Sequence, residues 1–389
     1  MSSFKRKAAA VTFKKKTKKG KKESSSIKNN MLVIKVEYVP ETSTSSSSSK
    51  RNVADFFKKR TKQPKESSSI KTMLLVKNKT QSKLNILKPI LKWVGGKTQI
   101  LDKLIADFPV NIENYYEPFL GGGSVLFTLL SYARIGVINL TGNVYASDSN
   151  EPLIFMYKNI QTSRHELFDA IQVLITEYDE CRTEGPLNRA PENLEEATDL
   201  KENYYYWVRI QYNSLSAEEK KTVQGSAFLI FLNKTCFRGV FRIGPNGFNV
   251  PYGHSKNTPE IINEAHLNDI YNLIRGVIFE CCHFSTSLAR VNNPLDYVYL
   301  DPPYAPETST SFVGYTENGF CLEDHLTLFS SIHTLRENNV KLMMSNADVE
   351  FVRDTFTEPN YHTESILCKR TINSSNPEAK AKEVIIKNY

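Results

Sequence analysis

Short apolar runs alternate with polar or glycine-rich turns from about residue 87 to the end of the chain. Val144-Tyr145-Ala146-Ser147-Asp148 and Tyr297-Val298-Tyr299-Leu300 have the length and composition of buried strands. Further strand-like runs lie at residues 115–119, 277–279, 341–344 and 384–386. Residues 125–132 have a helical pattern, and so does most of the stretch from 153 to 275. Strands alternating with helices predict a Rossmann-like, doubly wound α/β sheet that carries a helical insertion.

The same pattern divides the chain into three parts. Residues 1–84 are rich in Ser and Lys and poor in large apolar residues, so we expect a disordered leader. Residues 85–154 and 271–389 contain the strands and form the predicted α/β domain. Residues 155–270 form the predicted mainly helical insertion, with a polar surface loop at 182–199.

Charge is distributed unevenly between the leader and the rest of the chain. Residues 1–92 contain 25 Lys and Arg but 5 Asp and Glu, a net +20, so the remaining residues carry −12 against +8 overall. A basic leader on an acidic body favours long-range attraction to a polyanion.

The leader also contains a repeat. The segment Lys22-Glu23-Ser24-Ser25-Ser26-Ile27-Lys28 recurs at residues 65–71, each copy after a Phe-basic block. Residues 50–57, with Val53 and Phe56-Phe57, resemble a degenerate sliding-clamp-binding peptide. A solvated basic tail or a nuclear-localisation-like signal is the alternative, and the one that the composition favours.

Several classes of protein are disfavoured by composition. The six cysteines have no C-x-x-C pair, which is typical of free thiols in a reducing compartment. Cys281-Cys282-His283 lacks partner ligands at suitable spacing, so no metal site is expected. No apolar run is long enough for a membrane span or a signal peptide. We therefore expect an intracellular protein, cytoplasmic or, in a eukaryotic host, nuclear or in a viral factory.

Asp301-Pro302-Pro303-Tyr304 directly follows the apolar run 297–300 and carries the most specific chemistry. Pro302 has no N–H with which to join a neighbouring strand. Its carbonyl and the Asp301 carboxylate can both accept from one amino group, while Tyr304 offers a ring for stacking. The four residues predict a clamp for a planar group that carries an –NH₂; a strand ending in a proline turn is the structural alternative.

A glycine loop and an acidic residue suggest a nucleoside-like ligand. Phe119-Leu120-Gly121-Gly122-Gly123 follows the first strand, and Asp148 ends the next strand, where it can accept from ribose hydroxyls. Leu126 occupies the position of the third glycine of G-x-G-x-x-G, so a nucleoside is favoured over a dinucleotide.

A phosphate loop is not expected at Gly96-Lys97, because Leu91 replaces its first glycine. Trp93 and Lys97 can instead cover a ligand's base or sulfonium and bind its carboxylate. An N-terminal packing segment with a solvated lysine is the alternative.

Residues 233–253 are basic, aromatic and rich in turn residues, with Asn246-Gly247 as the hairpin signal. Arginines on such a hairpin can reach guanine O6 and N7 in a major groove. The DNA-contacting residues predicted there are Lys234, Arg238, Arg242, Asn246 and Asn249. A structural hairpin with ordinary surface arginines would have a similar composition.

Together these segments resemble the Dam-like, α-group DNA adenine N6-methyltransferases, which include type II modification methylases of restriction–modification systems. Five blocks occur in the family's order between residues 87 and 389; they begin at Lys92, Glu117, Ala146, Phe248 and Asp301. The resemblance implies a methyltransferase sheet with an inserted target-recognition subdomain, double-stranded DNA as substrate, and an enzyme active as a monomer. It implies S-adenosylmethionine as methyl donor, with no metal. It also implies that Trp93, Lys97, Phe119, Gly121, Gly123, Asp148 and Asp301 line the donor's site, and that residues 374–376 form a loop near DNA.

The resemblance leaves the target sequence open. Many GATC-specific members have Phe-Asn-Gly where this chain has Phe237-Arg238-Gly239, whereas Arg242 matches a base-reading arginine. GATC, CATG and related short palindromes are all compatible with this pattern. N4-cytosine methylation and a catalytically silent DNA-binding relative are the alternative functions.

Removal of residues 1–84 tests the role of the leader. We expect weaker DNA binding and a smaller slope of log affinity against log salt concentration, because fewer phosphate charges are neutralised. The methylated sequence should not change. Titrations of a labelled duplex at several salt concentrations measure both effects, and an unchanged slope would contradict this role.

Overall fold

A seven-stranded, mostly parallel sheet forms the centre of the computed structural model, which describes residues 86–254, 259–306, 320–369 and 380–389. All eleven strands in the described residues are numbered in chain order. The seven strands of this sheet are β2 Tyr115–Glu117, β4 Val144–Asp148, β7 Val277–Cys281, β8 Tyr297–Leu300, β9 Lys341–Ala347, β10 His362–Lys369 and β11 Lys380–Lys387. The four short strands are β1 Asn111–Ile112, β3 Asn139–Leu140, β5 Ile243–Gly244 and β6 Gly247–Phe248. The order across the sheet is β10-β11-β9-β8-β2-β4-β7. The pairs β10–β11 and β11–β9 are antiparallel, and the other pairs are parallel.

Helices cover both faces of this sheet. They are α1 Leu101–Ala106, α2 Ser124–Arg134, α3 Glu151–Thr162, α4 Arg164–Glu180, α5 Leu194–Ala197, α6 Lys201–Ser214, α7 Val223–Thr235, α8 Glu264–Ile274, α9 Phe284–Leu288, α10 Leu322–Glu337 and α11 Glu350–Thr355. Successive strand residues alternate between two apolar clusters, as strand geometry requires. In β8, Tyr297 and Tyr299 join one cluster, while Val298 and Leu300 join the other. The protein is therefore an α/β/α arrangement with a doubly wound sheet.

The strand order reverses next to β2. From β2 the chain proceeds outward through β4 to β7, then returns to the other side of β2 as β8 and continues to β9. Ligands of open α/β sheets bind outside the carboxyl ends of the strands at such a reversal. The carboxyl ends of β2, β4 and β8 carry the glycine loop, Asp148 and Asp301, respectively.

The segment between β4 and β7 contains α3 to α8 and the short hairpin β5–β6. Buried side chains of its helices, such as Tyr157 and Phe231, belong to the same apolar cluster as Ala146 of β4. The predicted boundaries at 155 and 270 fall inside α3 and α8, respectively. The division into an α/β domain and an insertion stays a prediction.

The predicted strands 144–148 and 297–300 are confirmed with the same ends, while β7, β9 and β11 extend beyond the predicted runs. Strand β10 was not predicted, because its first four residues are polar and its apolar run is limited to Ile366-Leu367-Cys368. The predicted loop at 182–199 contains the one-turn helix α5. In the β5–β6 hairpin the two connecting residues are Pro245 and Asn246, and Gly247 begins β6 with φ 90°.

The leader, its repeat, the clamp-like peptide at 50–57 and the loop at 374–376 lie outside the described residues. None of the helices in the described ranges is long and apolar enough to cross a membrane.

Candidate active site

Asp301 follows the last residue of β8 and is paired with a buried lysine. Its Oδ2 lies 2.7 Å from Lys97 Nζ, and the lysine side chain is 6% exposed. Lys97 Nζ also donates to the Gly95 carbonyl at 2.7 Å. Burial raises the pKa of Asp301, and the Lys97 ammonium opposes that shift. Oδ1 of Asp301 is buried, and within the described part of the chain no donor reaches it. That oxygen is therefore positioned to accept a hydrogen bond from a ligand.

Tyr304 is held on the same side of the sheet. Its hydroxyl donates to Glu383 Oε2 at 2.9 Å, and Lys97 Nζ lies 5.1 Å from its ring centroid. The next backbone N–H, of Ala305, donates to the buried Asn346 Oδ1 at 3.0 Å. Burial, followed by the nearby carboxylates, raises the pKa of Tyr304, so its hydroxyl stays a neutral donor. The loop after β8 is thus tied to both β9 and β11.

The glycine loop is bound to the end of β4 by Asp148. Oδ2 of Asp148 accepts from the Gly121 N–H at 3.0 Å, and Oδ1 accepts from the Asn150 N–H at 2.9 Å. Burial raises the pKa of Asp148, and these backbone donors oppose the shift. A Cβ on Gly121, whose φ is 50°, would lie 2.9 Å from Trp93 Cδ1. Glycine is therefore required for the loop and the indole to approach so closely.

The other predicted donor-site residues border this loop. Gly123 has φ 73° and precedes α2, and a Cβ there would lie 2.9 Å from the Tyr157 hydroxyl oxygen. That hydroxyl is buried, and it has no hydrogen-bond partner among the residues that the structure describes. Phe119 stacks on Phe284, with ring centroids 5.5 Å apart.

Glu117, at the end of β2, is a buried carboxyl group for which the sequence suggested no role. It is 2% exposed, and the Tyr115 hydroxyl donates to its Oε2 at 2.6 Å. Burial raises the pKa of Glu117 to about 8; the Tyr115 hydrogen bond acts in the opposite direction, and the Asp301 charge adds to the shift. Glu117 is therefore mostly protonated at neutral pH.

The five predicted DNA-contacting residues lie on or beside the hairpin segment. Arg242 is exposed, and its Nε donates to Asn249 Oδ1 at 2.6 Å. Arg238 is also exposed and has a left-handed φ of 56°, which is uncommon for a residue other than glycine. Lys234 is partly buried at the end of α7, and burial lowers its pKa. Asn246 is exposed in the hairpin connection.

Asn233 connects this hairpin segment to the active-site side of the sheet, and the sequence interpretation did not single it out. Its side chain accepts from the Lys92 N–H and donates to the Lys92 carbonyl, both at 2.8 Å, and donates to the Gly239 carbonyl at 3.0 Å. Trp93, the residue after Lys92, stacks on Phe241 with ring centroids 5.7 Å apart. One buried amide therefore fixes the segment that carries Lys97 relative to the loop that carries Arg238.

Residues 93–372 match the model of the D12 class N6 adenine-specific DNA methyltransferases, which is most of the chain. The chain belongs to this family. It is 34% identical over 313 residues to the type II methyltransferase M.MjaIII of Methanocaldococcus jannaschii, covering 78% of this chain and 99% of that protein. It is 28% identical over 309 residues to the type II methyltransferase M.CviBI of Paramecium bursaria Chlorella virus NC1A, covering 78% and 100%. It is 26% identical over 304 residues to the DNA adenine methylase of Escherichia coli, covering 78% and 95%.

The expected enzymatic function and the expected family are thus confirmed: the protein is an adenine-specific DNA methyltransferase. N4-cytosine methylation and a silent relative are not supported. Six of the predicted site residues lie together at the carboxyl end of the parallel strands: Asp301, Tyr304, Lys97, Trp93, Gly121 and Asp148. In the described ranges no cluster of three or more His, Cys, Asp or Glu side chains could hold a metal ion.

The methyltransferase should lose stability between pH 4.5 and 8 through Glu117. The folded protein keeps the carboxyl proton up to about pH 8, whereas the unfolded chain releases it near 4.5, so the unfolded state is favoured as pH rises. Glu117→Gln removes this dependence while keeping an acceptor for Tyr115. We expect the variant to exceed the wild type by about 3–5 kcal/mol at pH 8.5 and by less than about 1 kcal/mol near pH 5. Urea denaturation at both pH values measures the difference. Glu195→Gln on the surface is the control, and parallel curves for wild type and Glu117→Gln would contradict the assignment.

Loss of the Asn233 amide should destabilise the protein. Asn233→Ala leaves one N–H and two carbonyls without their partner, and we expect the free energy of unfolding to fall by about 2–4 kcal/mol. Asn246→Ala, at the exposed hairpin connection, should change it by less than about 0.5 kcal/mol. Equal stabilities of the two variants in urea denaturation would show that the Asn233 contacts contribute nothing.

Proposed function

We propose that this methyltransferase transfers a methyl group from S-adenosylmethionine to N6 of an adenine rotated out of a short, palindromic duplex site. The observation that carries the proposal is the state of Asp301. One carboxylate oxygen is bound to Lys97, and the other is buried without a donor from the described residues. A buried acceptor at the carboxyl end of β8 fits an incoming amino group, because buried acceptors are almost always paired.

Asp301 activates the nucleophile in this proposal. The adenine amino nitrogen is a poor nucleophile because its lone pair is delocalised into the ring. Asp301 and the Pro302 carbonyl accept hydrogen bonds from its two N–H groups, which aims the lone pair and stabilises the positive charge that develops on nitrogen. The Lys97 ammonium keeps the carboxylate oriented and opposes its protonation. Positioning of the two reactants then supplies much of the rate.

Tyr304 receives the extruded base. An adenine inside a duplex cannot present its amino group in line with a methyl donor, so the nucleotide must be flipped, which costs a few kcal/mol. Stacking on the Tyr304 ring offsets about 1–3 kcal/mol of that cost. The contact between Tyr304 and Glu383 supports this role because it leaves the hydroxyl satisfied before the base arrives.

The residues around the glycine loop suit S-adenosylmethionine. When bound, it supplies a methyl group activated by a positively charged sulfur. Gly121 lets the glycine loop pack closely against Trp93, the Tyr157 hydroxyl is buried without a described partner, and Asp148 lies at the adjacent strand end. We assign Trp93, Lys97, Phe119, Gly121, Gly123 and Asp148 to this donor site, with Asp301 at its border.

The segment between β4 and β7 acts, in this proposal, as the target-recognition subdomain. Arg238 and Arg242 contact base edges from the hairpin segment. Lys234, Asn246 and Asn249 contact the DNA backbone or support these two arginines. The names of two relatives, type II methyltransferases, favour modification of a defined short site. Sequencing of single DNA molecules from cells that express the chain would identify both the site and the modified base.

Asp301→Asn tests the proposed chemistry. The substitution keeps the size of the side chain but removes the charge that stabilises the developing positive nitrogen, so we expect methyl transfer to fall at least about 100-fold. DNA affinity should stay within about threefold. Transfer of tritium from labelled S-adenosylmethionine and a DNA-binding titration measure the two effects separately.

A matched control is Asp296→Asn at the opposite end of β8, where Asp296 accepts from the Asn114 side chain. It should lower stability without reducing the rate of the folded enzyme more than a few-fold. Wild-type turnover by Asp301→Asn, or detection of N4-methylcytosine by mass spectrometry of nucleosides, would refute the proposal.

A further inference from the structure

The Tyr304 hydroxyl makes a contact that the stacking role of its ring does not require. Its partner, Glu383, comes from β11, two strands away from β8 in the sheet. Glu383 is opposite Ala347 of β9 and Ile366 of β10, so regular pairing on both sides holds its backbone in place. The carboxylate that accepts from the tyrosine hydroxyl is therefore carried by a backbone that is paired on both sides.

The surroundings of Glu383 are partly closed to water. Cys368 of β10 is buried beside it, and burial together with the Glu383 charge raises the pKa of that thiol to about 11. The thiol therefore stays neutral at physiological pH. Lys97 lies at the ring of Tyr304, while its ammonium is already bound to Asp301. The Tyr304 hydroxyl is therefore bound to the Glu383 carboxylate, while Lys97, which pairs with Asp301, lies near the Tyr304 ring.

We propose that Glu383 is a positioning residue, which holds the Tyr304 ring in the orientation needed to stack on the flipped adenine. The inference rests on the proposed stacking role of Tyr304. A phenol that donates to a carboxylate forms a stronger hydrogen bond than a neutral pair does. It restricts rotation of the ring, so less conformational freedom is lost when the base arrives. Glu383 acts through Tyr304 and does not touch the reacting atoms.

A double-mutant cycle tests this arrangement, with Tyr304→Phe, Glu383→Ala and the double variant. Tyr304→Phe deletes only the hydroxyl and keeps the stacking surface. Each single variant should reduce the single-turnover rate of methyl transfer about 10- to 100-fold, as expected for one charge-assisted hydrogen bond. The double variant should be no slower than the slower single variant, because both substitutions break the same contact.

Two further measurements distinguish positioning from a loss of folding. Glu383→Gln keeps an acceptor and should restore the rate to within about fivefold of the wild type. Fluorescence of 2-aminopurine at the target position reports how well the extruded base is stacked. It should be more intense with Glu383→Ala than with the wild type. The dissociation constant for the duplex should change by less than about threefold throughout.

Glu364→Ala is the matched control, because Glu364 lies on the same antiparallel hairpin but pairs with Lys103 instead of Tyr304. It should leave rate and fluorescence unchanged. Multiplicative rate losses in the cycle, or a full rate for Tyr304→Phe, would overturn the role of Glu383. If Tyr304→Ala also retained full activity, the stacking role itself would fail, so the two failures are distinguishable.

Discussion

The ion pair between Lys97 and Asp301 is the interaction on which the rest of the site depends. A carboxylate at the end of a buried strand is costly unless a cation and further donors compensate it. Two contacts hold the segments that carry this pair: Asn233 binds the segment around Lys92, and Asn346 binds the loop after β8. Removing either support would allow the Lys97 ammonium and the Asp301 carboxylate to move apart. The candidate site at the carboxyl end of the parallel strands is therefore assembled from parts that are far apart in the chain.

Much of the fold could be predicted from local pattern. The strands ending at Asp148 and Leu300 were predicted with the correct ends because each is a short apolar run followed by polar or turn residues. Strand β10 was missed for an equally physical reason. Its exposed positions, such as Leu367, alternate with buried ones, such as Ile366 and Cys368, and it lies at the edge of the sheet. Pairing with β11 extends the strand over the polar residues 362–365, which no apolar pattern marks.

The site was predictable where one segment carries the chemistry and not where several segments meet. Asp301 and Tyr304 are adjacent to a strand end, so their spacing alone indicated a clamp. The partners Glu383, Asn346 and Asn233 come from other elements, and sequence spacing gives no information about such contacts. Glu383 did leave a signal: it lies two residues before the buried Ile385 and so shares its face of the strand. A charged residue on a core-facing position of a strand is a reason to look for a buried partner.

The contact between Arg242 and Asn249 limits how Arg242 can meet a base pair in its proposed role. Asn249 engages Nε and, through its backbone carbonyl, Nη2 of the guanidinium at 2.6 and 3.3 Å. The described contacts leave both N–H groups of Nη1 and one N–H group of Nη2 available for a ligand. A guanine would therefore be contacted through the terminal nitrogens of the guanidinium. A lysine has a single ammonium group and could not bind Asn249 through one set of nitrogens while contacting a base through another. In the proposed role of Arg242 as a base reader, selectivity at that base pair is thus a joint property of Arg242 and of Asn249, which holds it.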